Sequence, residues 1–410
     1  MGTPQQQQWP FKTSRNMAPR FLQRLERQTE AYKLAFGGEP KFDPPPYPAS
    51  TPRSSISDAS SQRSPPPQYS QLNHRPSYHY EPLALPPNSL VLVTGANGWQ
   101  GMHVADQLLE HGYRVRGTVR DADKAIWTSK YFKEKYGAGR FTTAIIPDVV
   151  RRGSLNVAVR GCSGVVHCVS VMSFSPDPTE VITPTIAGAL NALEAAAQEA
   201  HVKRFVYCSS TVAAVSSGTG TKTEVTSDSW NMSAFLTAWQ PPPYDDNRAW
   251  AVYASSKLQT EQASLTNLNP VLPGTLWGKQ LAPGHQGYRT SVALLKSIFD
   301  GDAASAALSP AQYFSDVQDS ALLHVAALIL PDVADRRIFA VNAPWNIPSI
   351  LTLLRAMYPQ RILEGDVSDH GVDMTVYREQ GFAEELLRRM GRRGWTELGV
   401  SVGWCCEGFL

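Results

Sequence analysis

Short apolar runs alternating with helical stripes predict an α/β fold built on a doubly wound, parallel sheet. A smaller, discontinuous lobe sits above one sheet edge, and a disordered extension precedes the folded part. Three observations carry this expectation. The run Ser89-Leu90-Val91-Leu92-Val93-Thr94 ends in glycine, and a stripe through Val104, Leu108 and Leu109 follows it at helical spacing. The same strand-then-helix order recurs down the next hundred residues, which implies right-handed crossovers between parallel strands. Finally, composition breaks near residue 88: sixteen of the 31 prolines lie before it.

Taken in order, residues 100–111 read as a helix, 113–120 as a strand, 121–136 as a helix and 141–147 as a strand. Residues 164–170 are apolar and β-branched, 179–200 form a long helix, and 204–209 form the fifth strand. Residues 216–250 are a polar, tryptophan-bearing insertion. Further on, helical stretches at 288–300, 319–330, 349–358 and 380–390, with one strand-like return at 337–342, suggest the smaller lobe. The expected division is therefore an extension over 1–88, a nucleotide-binding domain over 89–275 and a mainly substrate-binding lobe over 276–410.

The extension is rich in proline, serine and glutamine and has no sustained period. Such a stretch buries too little apolar surface to offset its ordering entropy. Residues 19–36 are the exception and suggest a short conditional helix. Pro44-Pro45-Pro46-Tyr47 matches a WW-domain ligand pattern, as does Pro241-Pro242-Pro243-Tyr244 inside the globular part. A net charge of +2 points to no nucleic acid. Five cysteines without a Cys-x-x-Cys spacing point to no metal site, and Cys162, Cys168 and Cys208 read as small buried thiols. No apolar run is long enough to span a membrane. A faintly basic first segment lacks the amphipathicity of a transit peptide, so the cytoplasm is the expected compartment. Monomer and dimer both stay open.

The chemistry gathers where such a sheet binds ligands, beyond the carboxyl ends of its strands. Gly95-Ala96-Asn97-Gly98-Trp99-Gln100-Gly101 follows a strand and opens a helix. Gly95 permits the tight turn, Gly98 lets backbone approach a diphosphate, and Gly101 lets helix and sheet pack closely. Free N–H groups near Trp99 and Gln100 face the negative charge. A reader of a ribose 2′-hydroxyl would place an acid after the second strand. Here Arg120 and Lys124 stand there instead and suit a 2′-phosphate, with Asp121 either capping the helix or competing for the ribose. Asp148 and Val149, after the third strand, are placed to meet the adenine, and Val169 joins the cofactor-binding set.

Tyr253 and Lys257 are one helical turn apart, some 160 residues after the glycine turn. A phenol titrates near 10, too high for ready proton exchange at neutral pH. The Lys257 ammonium is expected to favour phenolate and to reach the ribose hydroxyls, making Tyr253 a general acid. Ser210 closes Cys208-Ser209-Ser210-Thr211 and is expected to hydrogen-bond the developing oxyanion. Side-chain alternation puts Ser210 on the face opposite Ser209 and Thr211.

On these residues the chain resembles the fungal NADPH-dependent aldehyde/ketone reductases related to dihydroflavonol and methylglyoxal reductases. These belong to the extended short-chain dehydrogenase/reductases of the NAD-dependent epimerase/dehydratase superfamily. The likeness runs from about Leu90 to Thr396. It includes the glycine turn and the segments 161–167, 239–244, 250–257, 269–273 and 316–326. The resemblance implies a Rossmann-type sheet, catalysis by Ser210, Tyr253 and Lys257, and nicotinamide contact at Pro273. It also implies a substrate pocket near Met172, Phe174 and Trp277.

The expected activity is reduction of an apolar or aromatic aldehyde or ketone by NADPH. The alternatives are a non-catalytic NADP(H)-binding redox sensor, or an NAD-dependent epimerase or hydroxysteroid dehydrogenase. Two departures from the resemblance stand out: the long extension, and a short segment after Lys257. Residues 259–264 run almost directly into the next strand, where relatives continue a longer helix. The expected consequence is a thinner, partly open sheet face there, with impaired activity and lower stability.

Overall fold

The computed structural model describes residues 83–218, 220–264, 268–302, 309–363 and 371–410. The helix expected over 19–36 and the Pro44–Tyr47 motif lie outside them.

The first half alternates as its hydrophobic pattern requires. Strand β1 (Leu90–Thr94) leads into α1 (Trp99–Glu110), β2 (Arg114–Val119) into α2 (Ala122–Tyr136), and then β3 (Phe141–Ile145) follows. Next come β4 (Gly164–His167), α3 (Pro178–Gln198) and β5 (Arg204–Cys208). Beyond them lie β6 (Glu224–Val225), α4 (Met232–Ala238), α5 (Ala249–Ala263) and β7 (Leu268–Pro273). The second half holds β8 (Thr275–Trp277), α6 (Ser291–Phe299), β9 (Gln312–Asp316), α7 (Val317–Ile329) and β10 (Ile338–Ala340). It ends with β11 (Ala343–Trp345), α8 (Ile347–Met357), β12 (Val376–Tyr377), α9 (Gln380–Arg389) and α10 (Leu398–Glu407).

Seven strands form one sheet in the order β10-β7-β5-β4-β1-β2-β3, parallel throughout. Such strands are covered on both faces, which is why β1 and β4 read as unbroken apolar runs. On one face α1, α7 and α9 close over Val91, Val93, Val166 and Val206. On the other, α3 and the turn around Leu155 and Val159 close over Leu92, Val165 and Phe205. A side chain at Gly117 would collide with Ala96 and the Phe141 ring, so a glycine in β2 lets the turn after β1 sit against its neighbour.

The second half divides differently from the expected lobe. Helix α7 is apolar nearly all round and lies in the main core with α9, while β10 extends the main sheet. The separate lobe is narrower: the small sheet β11-β9-β8, with α6, α8 and α10 around a second core. The terminal helix places Cys405 and Cys406 in that core, which accounts for the paired cysteines near the end.

The sheet face beside α5 is not open. Among the described residues Phe205, Tyr207 and Leu268 are 5, 1 and 3 % exposed. The alanine-lined end of α3 (Ala192, Ala195, Ala196) packs with these three side chains. Residues 265–267, which join α5 to β7, lie outside the description.

A buried ion pair fixes α5 from the other side. Glu261 accepts a 2.7 Å bond from Arg337 Nε, the two side chains being 0 and 5 % exposed. Ser209 Oγ donates to the same carboxylate. Arg337 also donates to the carbonyls of Ser227 (3.0 Å) and Ser229 (2.6 Å) and lies 4.1 Å over the Trp230 ring. Burial pushes the Glu261 carboxyl up, and Arg337 and Ser209 oppose that shift. Removing one partner of such a pair strands the other charge. Glu261→Ala is therefore expected to lower unfolding stability by about 3–5 kcal/mol in urea denaturation. A loss below about 1 kcal/mol, the range of an exposed pair, would contradict this anchoring role.

Candidate functional site

Strands β1, β2, β4, β5 and β7 end along one edge, and the chemistry-bearing residues line it. After β1 the chain turns at Gly95, whose φ of +66° favours glycine. A side chain at Gly101 would run into the Gly95 carbonyl, and one at Gly98 would stand 3.2 Å from the same oxygen. Helix α1 starts at extended Gly98 with no side-chain cap and no acid in its first turn, so its leading N–H groups face outward. The Gln100 amide is buried at 8 % exposure, yet neither its nitrogen nor its oxygen has a hydrogen-bond partner among the described residues. A cradle of glycines with open N–H groups and an unsatisfied amide fits a diphosphate. Val169 lies against this turn, 3.0 Å from where a Gly95 side chain would begin.

The charged turn after β2 resolves into separate roles. Asp121 caps α2, accepting from the Lys124 backbone N–H at 2.9 Å, and also pairs with the Lys124 ammonium. Lys124 is therefore tied to its own helix start, while Arg120 is exposed at the strand end with no ion-pair partner among the described residues. Of the two expected phosphate ligands, Arg120 is the one left free. After β3, exposed Asp148 accepts from the Val150 N–H at 2.9 Å. The Val149 carbonyl is taken by Asn191 Nδ2 at 2.7 Å, and the Val149 side chain lies against Gly188 in α3. Pro273 ends β7, buried and in register with Ala340.

On α5, Tyr253 and Lys257 face the end of β5. Lys257 is 3 % exposed; its Nζ donates to the Cys208 carbonyl at 2.9 Å and lies 5.2 Å from the Tyr207 ring and 6.0 Å from that of Tyr253. The three candidate hydroxyls separate by contact. Ser209 is held by Glu261, while Thr211 lies beside the Tyr377 phenol and Ser210 beside that of Tyr253, each favouring the phenolate. The electrostatics correct one expectation. Burial pushes the Tyr253 phenol up, and the contact that lowers it comes from Ser210 rather than Lys257. Burial likewise draws the Lys257 ammonium down. The reason is geometric: Lys257 is bonded to a carbonyl of β5 rather than to the phenol. Tyr253 is thus held as a neutral donor.

Around that phenol the rings of Phe174 and Trp250 stand 5.3 and 5.8 Å from Tyr253 and 5.3 Å from each other. Phe174 takes a left-handed φ of +51°, and Met172 beside it is 42 % exposed. Trp250 is half exposed and was not foreseen as part of the pocket, although it precedes Tyr253 by three residues on the same helix face. Trp277, by contrast, is not in the pocket. It is fully buried in the lobe core against Phe314 and Trp345, and its indole N–H donates to the Ser291 carbonyl at 2.7 Å. A strand-end tryptophan reads equally well as pocket or core, and here the lobe needs it as core.

Residues 91–233 match the NAD dependent epimerase/dehydratase family. The chain is 38 % identical to aldehyde reductase 2 of Sporidiobolus salmonicolor over 329 residues, 78 % of this chain and 95 % of that one. It is 32 % identical to the ketoreductase nvfG of Aspergillus novofumigatus over 331 residues, again 78 % of this chain and 96 % of the relative. The solved structure of the yeast methylglyoxal/isovaleraldehyde reductase Gre2, complexed with NADPH, shares the fold. Its TM-score is 0.66 at 19 % identity, covering 78 % of this chain and 98 % of that one. The chain belongs to the NAD-dependent epimerase/dehydratase family.

Proposed function

We propose that the chain is an NADPH-dependent reductase that converts an apolar or aromatic aldehyde or ketone to the alcohol. The observation that carries this reading is the joining of Ser210, Tyr253 and Lys257 at the end of β5, beside the glycine cradle. The aldehyde reductase and ketoreductases among its relatives support it. A complete proton-donor set favours catalysis over a non-catalytic sensor.

NADPH, when bound, supplies the hydride. Its diphosphate would rest on Gly95, Gly98, Gly101 and the start of α1, with the 2′-phosphate at Arg120 and the nicotinamide end near Val169 and Pro273. Ser210 then hydrogen-bonds the substrate carbonyl oxygen and holds it toward Tyr253. Tyr253 gives its proton to that oxygen as charge develops there. The Lys257 ammonium, 6.0 Å from the Tyr253 ring, would hold the ribose hydroxyls of the bound cofactor and offset the charge left on the phenol. Met172, Phe174 and Trp250 offer an apolar, ring-lined mouth for the remainder of the substrate. Five unbridged cysteines fit a reducing compartment, which supports the cytoplasm as its location. Among the described residues no helix is long and apolar enough to cross a membrane.

Two outcomes follow. Tyr253→Phe keeps the ring and removes the donor, so turnover of NADPH with an aromatic aldehyde should fall by about 10²-fold or more while NADPH binding stays near normal. Near-normal turnover would end the assignment of Tyr253. Arg120→Ala should weaken NADPH by roughly ten- to a hundredfold and leave NADH little changed, since one charge-assisted contact is lost. An equal fall for both cofactors in a fluorescence titration would contradict the phosphate role.

A further inference from the structure

The ends of β4 and β5 carry a pair of thiols that the proposed reaction does not use. His167 and Tyr207 are register partners on these adjacent parallel strands, and Cys168 and Cys208 come one residue later. Neighbouring strands lie about 4.8 Å apart, within the roughly 4.4–6.8 Å between Cα atoms that a disulfide spans. The two side chains share a face, and each thiol shifts the other's proton affinity, Cys168 upward and Cys208 downward, while the Cys208 thiol points to the Ser209 carbonyl at 4.0 Å. Both are free thiols; Cys208 is buried and Cys168 partly accessible.

A second feature is aimed at the same sulfur. His324, on α7, is fully buried and its Nδ1 donates to the Ser320 carbonyl at 2.7 Å. In a neutral ring this leaves Nε2 as an acceptor. Nε2 has no hydrogen-bond partner among the described residues, and His324 is near enough to the Cys208 thiol to draw its proton affinity down. Metal binding does not account for the cluster, because no group of three or more ligating side chains is placed to hold an ion among the described residues.

We propose that Cys168 and Cys208 form an oxidant-modified dithiol site, taking a hydroperoxide such as hydrogen peroxide and closing to a reversible disulfide. The Cys208 proton passes to His324 Nε2, and the thiolate attacks one peroxide oxygen. The O–O bond breaks, and with the proton held by His324 the departing oxygen leaves as water from hydrogen peroxide, or as the alcohol from an organic hydroperoxide. The Cys168 thiol then displaces the hydroxyl from the Cys208 sulfur, giving the S–S bond and a second water. Two thiols lose two electrons, and the peroxide gains them. Attack by a histidine-paired thiolate on a nearby oxidant is the ordinary route to such a bond.

Closure acts on the cleft through groups already described. The Cys208 carbonyl holds the Lys257 ammonium, and Val169, next to Cys168, lies against the Gly95 turn. Drawing the two strand ends together shifts both supports, which rests the predicted loss of turnover on the proposed reductase activity.

The test treats the full chain with hydrogen peroxide, digests it without reductant and maps cross-linked peptides by mass spectrometry. NADPH turnover and NADPH binding by fluorescence are followed in parallel. The expected result is a Cys168–Cys208 link with turnover reduced by about tenfold, the scale of a small displacement in a catalytic site, and recovery with dithiothreitol. Cys168→Ala should keep basal turnover and lose both the link and the sensitivity. Absence of the link, a Cys405–Cys406 link in its place, or sensitivity that persists in Cys168→Ala overturns the proposal. The mapped link and the change in NADPH binding read out even for a chain that reduces no carbonyl, so failure of the dithiol site is distinguishable from failure of the reductase reading.

Discussion

The cleft depends on how α5 is moored to the end of β5. Two ionisable side chains one turn apart, Lys257 and Glu261, are driven below the surface and tied to the strand: Lys257 to the Cys208 carbonyl, Glu261 to the Ser209 hydroxyl. Burying charge is costly unless hydrogen bonds and a counter-charge offset it. Glu261 finds both in Arg337 and Ser209, whereas Lys257 has a carbonyl and two ring faces. The lysine is therefore the less satisfied of the two. Under the proposed mechanism its ammonium, 6.0 Å from the Tyr253 ring, is left to meet negative charge created there. The ion pair fixes the helix, and the helix in turn sets the phenol against Ser210.

The same mooring explains why the short connection after α5 does not open the fold. Helix α5 is held along its length by Tyr253, Lys257 and Glu261, and the end of α3 packs on Phe205, Tyr207 and Leu268. It was a reasonable expectation from length alone that the face would thin, because nothing in residues 259–269 shows where α3 ends in space.

Much of the central sheet was legible because parallel strands buried on both faces leave an apolar run, and because a glycine turn between strand and helix has few other uses. Ser210 parts from Ser209 and Thr211 by its contacts rather than by alternation, because β5 ends at Cys208 and the chain then turns. What could not be read were partners distant in sequence. Glu261 meets Arg337 across 76 residues, and Cys208 at the end of a strand is influenced by His324 on a helix far along the chain. Trp277 and Trp250 show the limit for aromatics, since one is core and the other lines the mouth, and their local patterns do not distinguish them. Asp121 followed the ordinary preference of an acid before a helix, and its pairing with Lys124 narrowed the cationic site to Arg120. The lobe was overdrawn because α7 and α9, though late in the chain, return to the main core.

Isotope transfer tests the central claim, that this cleft joins hydride delivery to proton donation by Tyr253. The full chain would be incubated with NADPH deuterated at the transferring position and a prochiral aryl ketone, and the alcohol analysed by mass spectrometry and NMR. The account predicts an alcohol with one deuterium on the carbinol carbon, in a single configuration, and almost none from Tyr253→Phe although that variant still binds NADPH. Alcohol formed as fast without the phenol, or NADPH bound by the unaltered chain with no deuterium passed to any aldehyde or ketone, would contradict it.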